Sequence, residues 1–256
     1  MSPNRVVLIT GAARRVGAAL ARGLAADGWS VAIHHRGGEG AARALMAEIQ
    51  AGGGQADVFH ADLTDPIERG VLIARVVQRF GRIDGLVNNA SLFEYDSLAS
   101  LTEASWAAHL AANLSAPVFL IRDFAAAVSR DADAAVVNIL DHKVAAPNPD
   151  FFSYTAGKVG LAGLTQTLAL ALAPQVRLNG VAPGLILRSG DQTQEEYERA
   201  WRDTPLERGA ALADVVAAVR FLLTASSVTG QILTVDGGEG LARRGRDVAF
   251  DPTLKD

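Results

Sequence analysis

Short apolar runs alternate along the chain with longer segments that carry apolar residues at helical spacing. The runs are rich in Val, Ile and Leu and lack polar alternation, which is typical of strands covered on both faces of a parallel sheet. They predict strands at Val6–Thr10, Ser30–His34, Ala56–His60, Gly85–Asn89, Ala135–Leu140, Arg177–Ala182 and Ile232–Val235. The segments between them predict helices that include Gly17–Ala26, Gly40–Ala51, Asp65–Arg79, Trp106–Ser129 and Ser153–Leu172.

Regular alternation of strand and helix predicts an α/β fold with one doubly wound parallel sheet of about seven strands and helices on both faces. We expect one domain over residues 1–240 and a C-terminal tail at 241–256. The polar stretch Leu185–Pro205 interrupts the alternation and is expected to form a loop with a short amphipathic helix. Because ligand lids occur at the carboxyl ends of strands, this insertion is predicted to be a substrate lid, with a functionless surface loop as the alternative.

Composition and sequence pattern exclude several classes of function. A net charge of −4 gives no electrostatic basis for binding nucleic acid. The chain has no cysteine, which excludes disulfides, thiolate metal sites and cysteine nucleophiles. His60 and His109 have no partner at metal-binding spacing, so no metal site is expected. The N-terminus lacks a signal peptide's pattern and no apolar run reaches the length of a membrane span, so a cytoplasmic protein without a membrane partner is expected.

The segment Thr10–Gly17 (TGAARRVG) lies between the first predicted strand and the first predicted helix. A helix N-terminus offers free N–H groups to an anion, and Gly11 and Gly17 permit a tight turn and close packing. A glycine-rich turn without a ligand is the alternative interpretation. The pattern therefore predicts a phosphate-binding turn of a dinucleotide site.

The second strand ends in His34-His35-Arg36, and no acidic residue follows until Glu39. Sites selective for NAD present a carboxylate here to the ribose hydroxyls, whereas arginine accommodates a 2′-phosphate. Arg36 and Arg14, with the two histidines nearby, therefore favour NADPH; the alternative is that Arg36 is a solvated surface charge. Asp62, after the third strand, could accept a hydrogen bond from an adenine amino group.

Tyr154 and Lys158 are four residues apart, so on a helix they share a face. A lysine beside a phenol is expected to lower the phenol pKa from its ordinary value near 10, which makes Tyr154 a candidate general acid. The Tyr-x-x-x-Lys spacing is more significant because other features accompany it. These are the phosphate turn, Asn88-Asn89-Ala90 after the fourth strand, and Asn113 inside the next helix.

In this order, the motifs TGAARRVG, NNAS, Asn113, YTAGK, Pro183-Gly184 and VDGG resemble the short-chain dehydrogenase/reductase family from Val6 to Gly238. The resemblance implies a Rossmann-type fold, a tetramer, Tyr154 as proton donor, Lys158 on the nicotinamide ribose and Asn113 ordering a proton-relay water. The motifs and the resemblance together predict the cofactor-binding residues Gly11, Arg14, Arg15, Val16, Gly17, His34, His35, Arg36, Asp62, Leu63, Asn89, Ala90, Ser91, Lys158, Pro183 and Gly184.

Two residues depart from the usual family pattern. Arg15 replaces a glycine of the turn, and Asp141 stands at the position of the catalytic serine. Both are similar to the pteridine reductases and the related bacterial dihydromonapterin or dihydrofolate reductases, which this chain also resembles in Asn89-Ala90-Ser91-Leu92-Phe93. That likeness implies that Phe93 stacks on a pterin and that the substrate-binding residues are Arg15, Ser91, Phe93, Asp141 and Tyr154.

A carboxylate at position 141 has a chemical rationale. It would repel the oxyanion that forms from a ketone, whereas a pterin offers N–H donors and is protonated on nitrogen. We therefore predict an NADPH-dependent reductase of a dihydropterin, dihydrofolate or oxidised pterin, with Asp141, Tyr154, Lys158 and Asn113 as catalytic residues. The alternatives are a reductase of ordinary carbonyl compounds and a non-catalytic NADPH-binding sensor; Asp141 itself could instead be a structural acid at a strand end.

The segment after Gly240 carries Arg243, Arg244 and Arg246. We expect a homotetramer in which this tail packs at a subunit interface, close enough to shape the substrate pocket. A disordered tail is the alternative, because charged termini often fray.

Overall fold

A computed structural model of the chain describes residues 5–129, 132–188 and 192–250. Seven parallel strands form one sheet in the order β3-β2-β1-β4-β5-β6-β7. The strands are β1 (Val6–Ile9), β2 (Ser30–His35), β3 (Ala56–His60), β4 (Gly85–Asn88), β5 (Ala134–Ile139), β6 (Val176–Pro183) and β7 (Ile232–Val235). The predicted doubly wound, Rossmann-type α/β fold is confirmed.

Helices cover both faces of the sheet. They are α1 (Arg15–Ala26), α2 (Glu39–Ala51), α3 (Pro66–Phe80), α4 (Glu103–Leu110), α5 (Ala116–Ala127), α6 (Phe152–Leu172), α7 (Gln194–Arg202), α8 (Leu212–Thr224) and α9 (Glu239–Ala242). Apolar residues of α1, α2 and α8 form one core with the sheet, and those of α3, α5 and α6 form the core on the opposite face. This burial on both faces explains why the strands are apolar without alternation.

Chain order reverses between β1 and β4, since β2 follows β1 on one side and β4 lies on the other. Val7 of β1 pairs with Val31 of β2 and with Gly85 of β4. In open parallel sheets a crevice forms at such a reversal, outside the carboxyl ends of the strands. The fold therefore places the turn after β1 and the loops after β4 and β5 around one opening.

The helix predicted at Trp106–Ser129 is α4 and α5 joined by a π-helical turn at Ala111–Ser115, with Asn113 inside that turn. The combined helix Glu103–Ala127 is long and apolar enough, by length and composition, to span a membrane. The prediction that no segment reaches that length is thus wrong on those two criteria. Its buried residues, among them Leu120 and Phe124, pack in the core beside α3, and a core helix meets the same criteria.

The insertion after β6 contains the expected short amphipathic helix, α7. Thr193 caps its N-terminus in a reciprocal pair with Glu196: the Thr193 hydroxyl accepts from the Glu196 N–H at 3.1 Å, and the Glu196 carboxylate accepts from the Thr193 N–H at 2.7 Å. The Tyr197 hydroxyl donates to the Ile186 carbonyl at 2.8 Å, which ties α7 to the strand end. Residues 189–191 of the predicted lid lie outside the described residues.

Candidate active site

A cavity of about 840 Å³ opens at the carboxyl ends of β1, β4, β5 and β6. One end is formed by the turn after β1 and by the residues after β2 and β3, and the other by the residues after β5, the start of α6 and the C-terminal segment. We call these the phosphate end and the reaction end. Of the sequence-predicted site residues, all line the cavity except His35 and Asn113.

The backbone at the phosphate end is packed too closely for side chains at the two predicted glycines. Gly11 has φ +62°, and a Cβ there would lie 3.0 Å from Cα of Ala90. A Cβ on Gly17 would lie 2.4 Å from the Gly11 carbonyl oxygen. The Asn89 side-chain amide donates to the carbonyls of Thr10 at 2.8 Å and Gly11 at 3.2 Å, which fixes the turn against the segment that follows β4.

The N-terminus of α1 has the features of an anion site. Arg14 occupies the N-cap position without a side-chain hydrogen bond to the helix, and the first turn contains no acidic residue. The first backbone N–H groups, at the positive end of the helix dipole, are therefore available where the helix meets the cavity.

His34 has a structural role at the phosphate end. Gly11 N–H donates to its Nδ1 at 3.0 Å, and its Nε2 lies 3.0 Å from the Ala61 carbonyl oxygen, so a neutral ring with the proton on Nε2 satisfies both contacts. Burial lowers the pKa of His34 to about 4. His34 therefore adds no positive charge beside Arg14 and Arg36, and it holds the glycine turn in place.

His35 is directed away from the cavity. Its ring is buried and meets the ring of His60 edge to face, with centroids 5.4 Å apart. Burial lowers its pKa as well, so His35, like His34, adds no positive charge at neutral pH.

Two arginines supply the positive charge of the phosphate end. Arg14 and Arg36 are both exposed and both line the cavity. A Cβ built on Gly38 would lie 3.9 Å from Nε of Arg14, so the Arg14 guanidinium reaches the loop that carries Arg36. Asp62 accepts hydrogen bonds from the Thr64 hydroxyl at 2.7 Å and the Thr64 N–H at 2.8 Å; these bonds, with the nearby Arg36, lower the pKa of Asp62.

At the reaction end, the Tyr154 hydroxyl donates a hydrogen bond to Oδ2 of Asp141 at 2.7 Å. The other carboxylate oxygen, Oδ1, accepts from the Lys143 N–H at 2.9 Å. Tyr154 is 6% exposed. Burial raises the pKa of Tyr154 well above its ordinary value, and the charge and hydrogen bond of Asp141 raise it further. In this structure the phenol therefore stays protonated.

Lys158 lies behind the phenol in the same helix. Its ammonium is buried, donates to the Ile139 carbonyl at 2.7 Å and lies 5.6 Å from the centre of the Tyr154 ring. Burial lowers the pKa of Lys158 to about 8, and Asp141 offsets part of that change. The expectation that Lys158 lowers the pKa of Tyr154 is wrong here, because Asp141 holds the hydroxyl directly while the ammonium is bonded to backbone.

Asn113 holds the loop after β4. Its Oδ1 accepts from the Ser91 hydroxyl and the Leu92 N–H, both at 2.9 Å, and its Nδ2 donates to the Leu92 carbonyl at 2.9 Å. Its side-chain oxygen has its acceptor positions filled, so that oxygen is committed to positioning Ser91 and Leu92. The role implied by resemblance, ordering a relay water, stays a prediction.

Phe93 and Tyr154 line the reaction end, and further aromatic rings outside the cavity wall pack against them. Phe93 is 42% exposed; it stacks on Phe151 with centroids 4.2 Å apart and meets Tyr154 edge to face at 4.7 Å. Tyr95 and Phe250 extend this group of rings. One face of Phe93 is thus covered by Phe151, and the residue lines the cavity.

The arrangement of turn, arginines, Tyr154 and Lys158 invites comparison with known proteins. The sequence model described as short chain dehydrogenase matches residues 5–199. This chain belongs to the short-chain dehydrogenase family. The resemblance drawn from the sequence motifs is thereby confirmed.

Relatives that are similar over most of the chain include 3-oxoacyl-[acyl-carrier-protein] reductases. The 3-oxoacyl-[acyl-carrier-protein] reductase FabG of Staphylococcus epidermidis is 32% identical over 240 residues, covering 92% of this chain and 98% of the relative. The 3-oxoacyl-[acyl-carrier-protein] reductase of Synechocystis is 34% identical over 239 residues, covering 91% and 96%.

Among solved structures, the FolM alternative dihydrofolate reductase 1 of Brucella suis in complex with NADP is 42% identical, with a TM-score of 0.90, covering 94% of this chain and 97% of that one. The Brucella canis protein of the same name, complexed with NADP, is 41% identical, with a TM-score of 0.88, covering 93% and 95%. The likeness to dihydrofolate reductases of this family, inferred from Arg15 and Asp141, is confirmed.

The backbone conformation of Arg15, the residue that departs from the family's glycine, carries a cost in free energy. Its φ is +52°, a left-handed conformation that glycine adopts freely and that costs other residues about 1–2 kcal/mol. The Arg15 guanidinium donates to the Arg188 carbonyl at 3.1 Å, at the start of the insertion. The arginine thus links the phosphate turn to the predicted lid.

The C-terminal segment contributes cavity residues that sequence reasoning did not assign. Arg246 forms a two-pronged pair with buried Asp150, both contacts at 2.8 Å, and Asp247 lies 2.7 Å from the Lys143 ammonium. Arg244, which pairs with Asp203, also lines the cavity, as do Arg246, Asp247 and Val248. The tail is therefore folded against the pocket of its own chain as far as Phe250, not disordered; its expected place at a subunit interface stays a prediction.

Two further residues at the reaction end were not predicted. Nδ1 of His142 lies 3.2 Å from Oδ1 of Asp141, and Nε2 lies 3.6 Å from Oε1 of Glu239. Glu239 is 4% exposed, and its Oε2 accepts from the Leu185 N–H at 3.1 Å. Burial raises the pKa of Glu239, partly opposed by His142. The sequence signals were the position of His142 directly after Asp141 and that of Glu239 directly after the VDGG motif.

Proposed function

We propose that this protein is an NADPH-dependent reductase that transfers hydride to a pterin-type substrate: a dihydropterin, dihydrofolate or an oxidised pterin. The observation that carries the proposal is the Asp141 carboxylate, 2.7 Å from the Tyr154 hydroxyl, at the position of the family's serine. The 41–42% identity to the two NADP-bound dihydrofolate reductases supports it.

The phosphate end suits a dinucleotide that carries an extra phosphate. The uncapped N-terminus of α1 and the close backbone approach at Gly11 and Gly17 would hold the pyrophosphate. Arg14 and Arg36, both exposed in the cavity, would pair with a 2′-phosphate. The other predicted cofactor residues on the cavity wall would complete the site, with His34 acting by holding the turn.

At the reaction end, the proton comes from Tyr154. When bound, the nicotinamide supplies the hydride. Tyr154 remains protonated because burial and Asp141 raise its pKa, so it has a proton to give as a ring nitrogen gains electron density. Asp141 fixes the direction of the phenol, and its carboxylate can accept from the ring N–H or amino groups of a pterin. The Lys158 ammonium offsets the negative charge that Tyr154 acquires.

Phe93 and Ser91 would complete the substrate contacts. Phe93 is 42% exposed and lines the cavity, where it would stack on a planar ring. Ser91 lines the cavity and is held by Asn113. The Arg15 hydrogen bond to the Arg188 carbonyl supports a role for this arginine in contacting both the substrate and the lid.

A reductase of 3-oxoacyl compounds is the second candidate, favoured by the 32–34% identity to the FabG-type relatives over more than nine-tenths of the chain. Its weakness is electrostatic. A ketone becomes an oxyanion in the transition state, and a carboxylate beside Tyr154 opposes that charge. A non-catalytic NADPH sensor has less support, because Tyr154 and Lys158 both line the cavity.

A turnover assay separates these candidates. NADPH oxidation is followed with 7,8-dihydrofolate, an unconjugated dihydropterin and 3-oxobutanoyl thioester at equal concentration. Turnover of the pterins well above the thioester supports the proposal. Faster turnover of the thioester supports the second candidate, and tight NADPH binding without turnover on any of them supports the sensor.

Other parts of the proposal concern organisation. We assign residues 1–240 to one catalytic domain, the 185–205 insertion to a substrate lid, and residues 241–256 to a tail that shapes the pocket. The Tyr197 bond to Ile186 and the lining residues Leu185–Leu187 support the lid. A cytoplasmic homotetramer completes the proposal, and its mass in solution tests the assembly.

A further inference from the structure

The loop between β5 and α6 (residues 140–151) has Asp141 at its start and leads into the helical turn that carries Tyr154. Two of its charged residues, Lys143 and Asp150, are buried, each 2% exposed. A charge removed from water needs an opposite charge or several hydrogen bonds to be stable. Within the loop, the Lys143 ammonium donates to two neutral oxygens, Oδ1 of Asn148 at 2.8 Å and the Asp150 backbone carbonyl at 3.3 Å.

The C-terminal segment supplies the opposite charges. Oδ2 of Asp247 lies 2.7 Å from the Lys143 ammonium. Arg246 donates from Nε and Nη2 to the two carboxylate oxygens of Asp150, both at 2.8 Å, and the Asp247 N–H donates to the same carboxylate at 2.8 Å. Burial alone would raise the pKa of Asp150, but the bonds from Arg246 and Asp247 outweigh it and the pKa is lowered. Two adjacent tail residues thus pair with both buried charges of the loop.

Lys143 connects the tail to the reacting groups. Its backbone N–H donates to Oδ1 of Asp141 at 2.9 Å, while Oδ2 of that carboxylate accepts from the Tyr154 hydroxyl at 2.7 Å. Asp247 therefore reaches Asp141 through a single residue. Because the tail holds the Lys143 side chain, it also limits the movement of the Lys143 peptide that orients the carboxylate.

The other end of the loop has a support that does not involve the tail. The backbone carbonyl of Asp96 accepts from the Phe152 N–H at 3.1 Å, and its Oδ1 accepts from the Ser153 N–H at 2.9 Å. The start of α6, and with it Tyr154, is therefore held from the loop after β4. A change in the tail is expected to act at the Asp141 end of the loop.

We propose that Arg246 and Asp247 are positioning residues for the reaction: by pairing with the buried charges of the β5–α6 loop, they hold Asp141 where it accepts from Tyr154. This inference rests on the proposed roles of Asp141 and Tyr154. Neither tail residue gains or loses a bond in the reaction. Proton transfer depends on the direction of the phenol, and a misplacement of about 1 Å can lower a rate by about 10²-fold.

Asp247→Ala tests the link from the tail to Asp141. We expect kcat to fall by about 10- to 100-fold, with NADPH affinity unchanged in a fluorescence titration. Burial, Asp141 and the charge of Asp247 all raise the pKa of Tyr154, so loss of the Asp247 charge by itself would ease proton release. A fall in kcat therefore reports lost positioning, and an unchanged kcat would overturn the proposal.

The same substitution in an Asp141→Ala background separates positioning from general damage. If Asp247 acts through Asp141, its removal should change the rate little once that carboxylate is gone, because the effects of coupled residues are not additive. Single-turnover measurements with excess protein extend the comparison to slow variants. A purely structural role would lower the rate by the same factor in both backgrounds, which would overturn the proposal.

Arg246→Ala and Arg243→Ala form a matched pair in the same segment. Arg246 holds Asp150, whereas Arg243 is exposed and lies off the cavity wall. The first change should lower kcat and the second should leave it as in the intact protein; equal effects would contradict the assignment of Arg246. Rates are measured with whichever substrate the intact protein reduces, pterin or 3-oxobutanoyl thioester, so failure of the pterin assignment is seen separately.

Amide hydrogen exchange tests the first step without turnover. In Asp247→Ala the Lys143 N–H, which donates to Asp141, should exchange about tenfold faster or more, while the amides of β5 keep their rates. If Asp247→Ala does not fold, Asp247→Asn keeps an acceptor for the ammonium and should show a smaller change in the same direction. Unchanged exchange at Lys143 in the variant would show that the tail does not hold the loop.

Discussion

The two ends of the cavity are built by different means. At the phosphate end the backbone makes the site: a turn too tight for side chains at Gly11 and Gly17, an uncapped helix, and exposed arginines. At the reaction end side chains make it, and Tyr154, Lys158 and Glu239 are all buried. The phosphate end is thus a preformed surface that can bind an anion, and the reaction end is a packed network that already contains charged groups.

This difference in burial determines what each end of the cavity contributes to stability and to chemistry. Exposed arginines at the phosphate end cost the fold little, because their charges remain hydrated until a ligand arrives. At the reaction end burial shifts pKa values, raising those of Tyr154 and Glu239 and lowering that of Lys158 to about 8. Chemistry there is therefore tied to stability, as is common where pKa values are tuned by burial.

The largest expected effect is at the reaction end. Tyr154→Phe removes the proton donor but keeps the ring against Phe93, so kcat should fall by about 10²–10⁴-fold. NADPH affinity, measured by fluorescence titration, should hardly change. Tyr95→Phe, which removes a hydroxyl from an exposed tyrosine off the cavity wall, is the control. Turnover within threefold of the intact protein in Tyr154→Phe would exclude it as donor.

At the phosphate end, Arg36→Ala should weaken NADPH binding by about 1.5–3 kcal/mol, the value of hydrogen bonds to a charged group. NADH affinity should stay the same, because it lacks the 2′-phosphate. Arg43→Ala is the matched control, since Arg43 pairs with Glu39 on the surface of α2 at 2.8 Å. Equal losses of affinity for NADPH and NADH would show that Arg36 does not bind the 2′-phosphate.

Gly17→Ala tests whether the backbone makes the phosphate end. The added Cβ would meet the Gly11 carbonyl oxygen at 2.4 Å, and such overpacking costs about 1–3 kcal/mol of unfolding free energy. Gly40→Ala adds the same atom where nothing lies within 4 Å and should stabilise α2 by about 0.5–1 kcal/mol. Urea unfolding measures both. Equal effects would mean that the turn is not tightly packed.

The smallest effect concerns Lys158 and stability. Its pKa in the folded protein, about 8, lies below the ordinary 10.5, so between these values the unfolded chain binds more protons and stability rises with pH. The intact protein should therefore gain about 1–2 kcal/mol relative to Lys158→Met between pH 8.5 and pH 10. Paired urea unfolding curves at the two pH values measure this. A constant difference would mean that the buried ammonium is not penalised.

Sequence patterns anticipated the fold and the phosphate end well, for a physical reason. Strand burial and glycine spacing act over a few neighbouring residues, so TGAARRVG alone specifies a turn and a helix start. The histidines illustrate the limit. The contacts of His34 join β2 to the turn after β1, at Gly11, and to the segment after β3, at Ala61, across 23 and 27 residues, and no local pattern reveals them.

The reaction end was anticipated only in part. Tyr154, Lys158 and Asp141 were anticipated from their spacing and from the family resemblance. The raised pKa of Tyr154 was not, because it depends on burial that a spacing does not encode. Glu239 and Arg246 reach the site from the C-terminal segment, and the Arg246 pair with Asp150 spans 96 residues. Only the folded chain brings those charges together.

The central claim is that Asp141 selects a substrate protonated on nitrogen, and the Asp141→Ser variant tests it most directly. The measurement is the ratio of kcat/KM for 7,8-dihydrofolate to kcat/KM for 3-oxobutanoyl thioester, in the intact protein and in the variant. We predict that the intact protein favours the pterin and that serine, a neutral donor for an oxyanion, lowers the ratio by about 10²-fold. An intact protein that prefers the thioester, or a ratio unmoved by the substitution, would contradict the account.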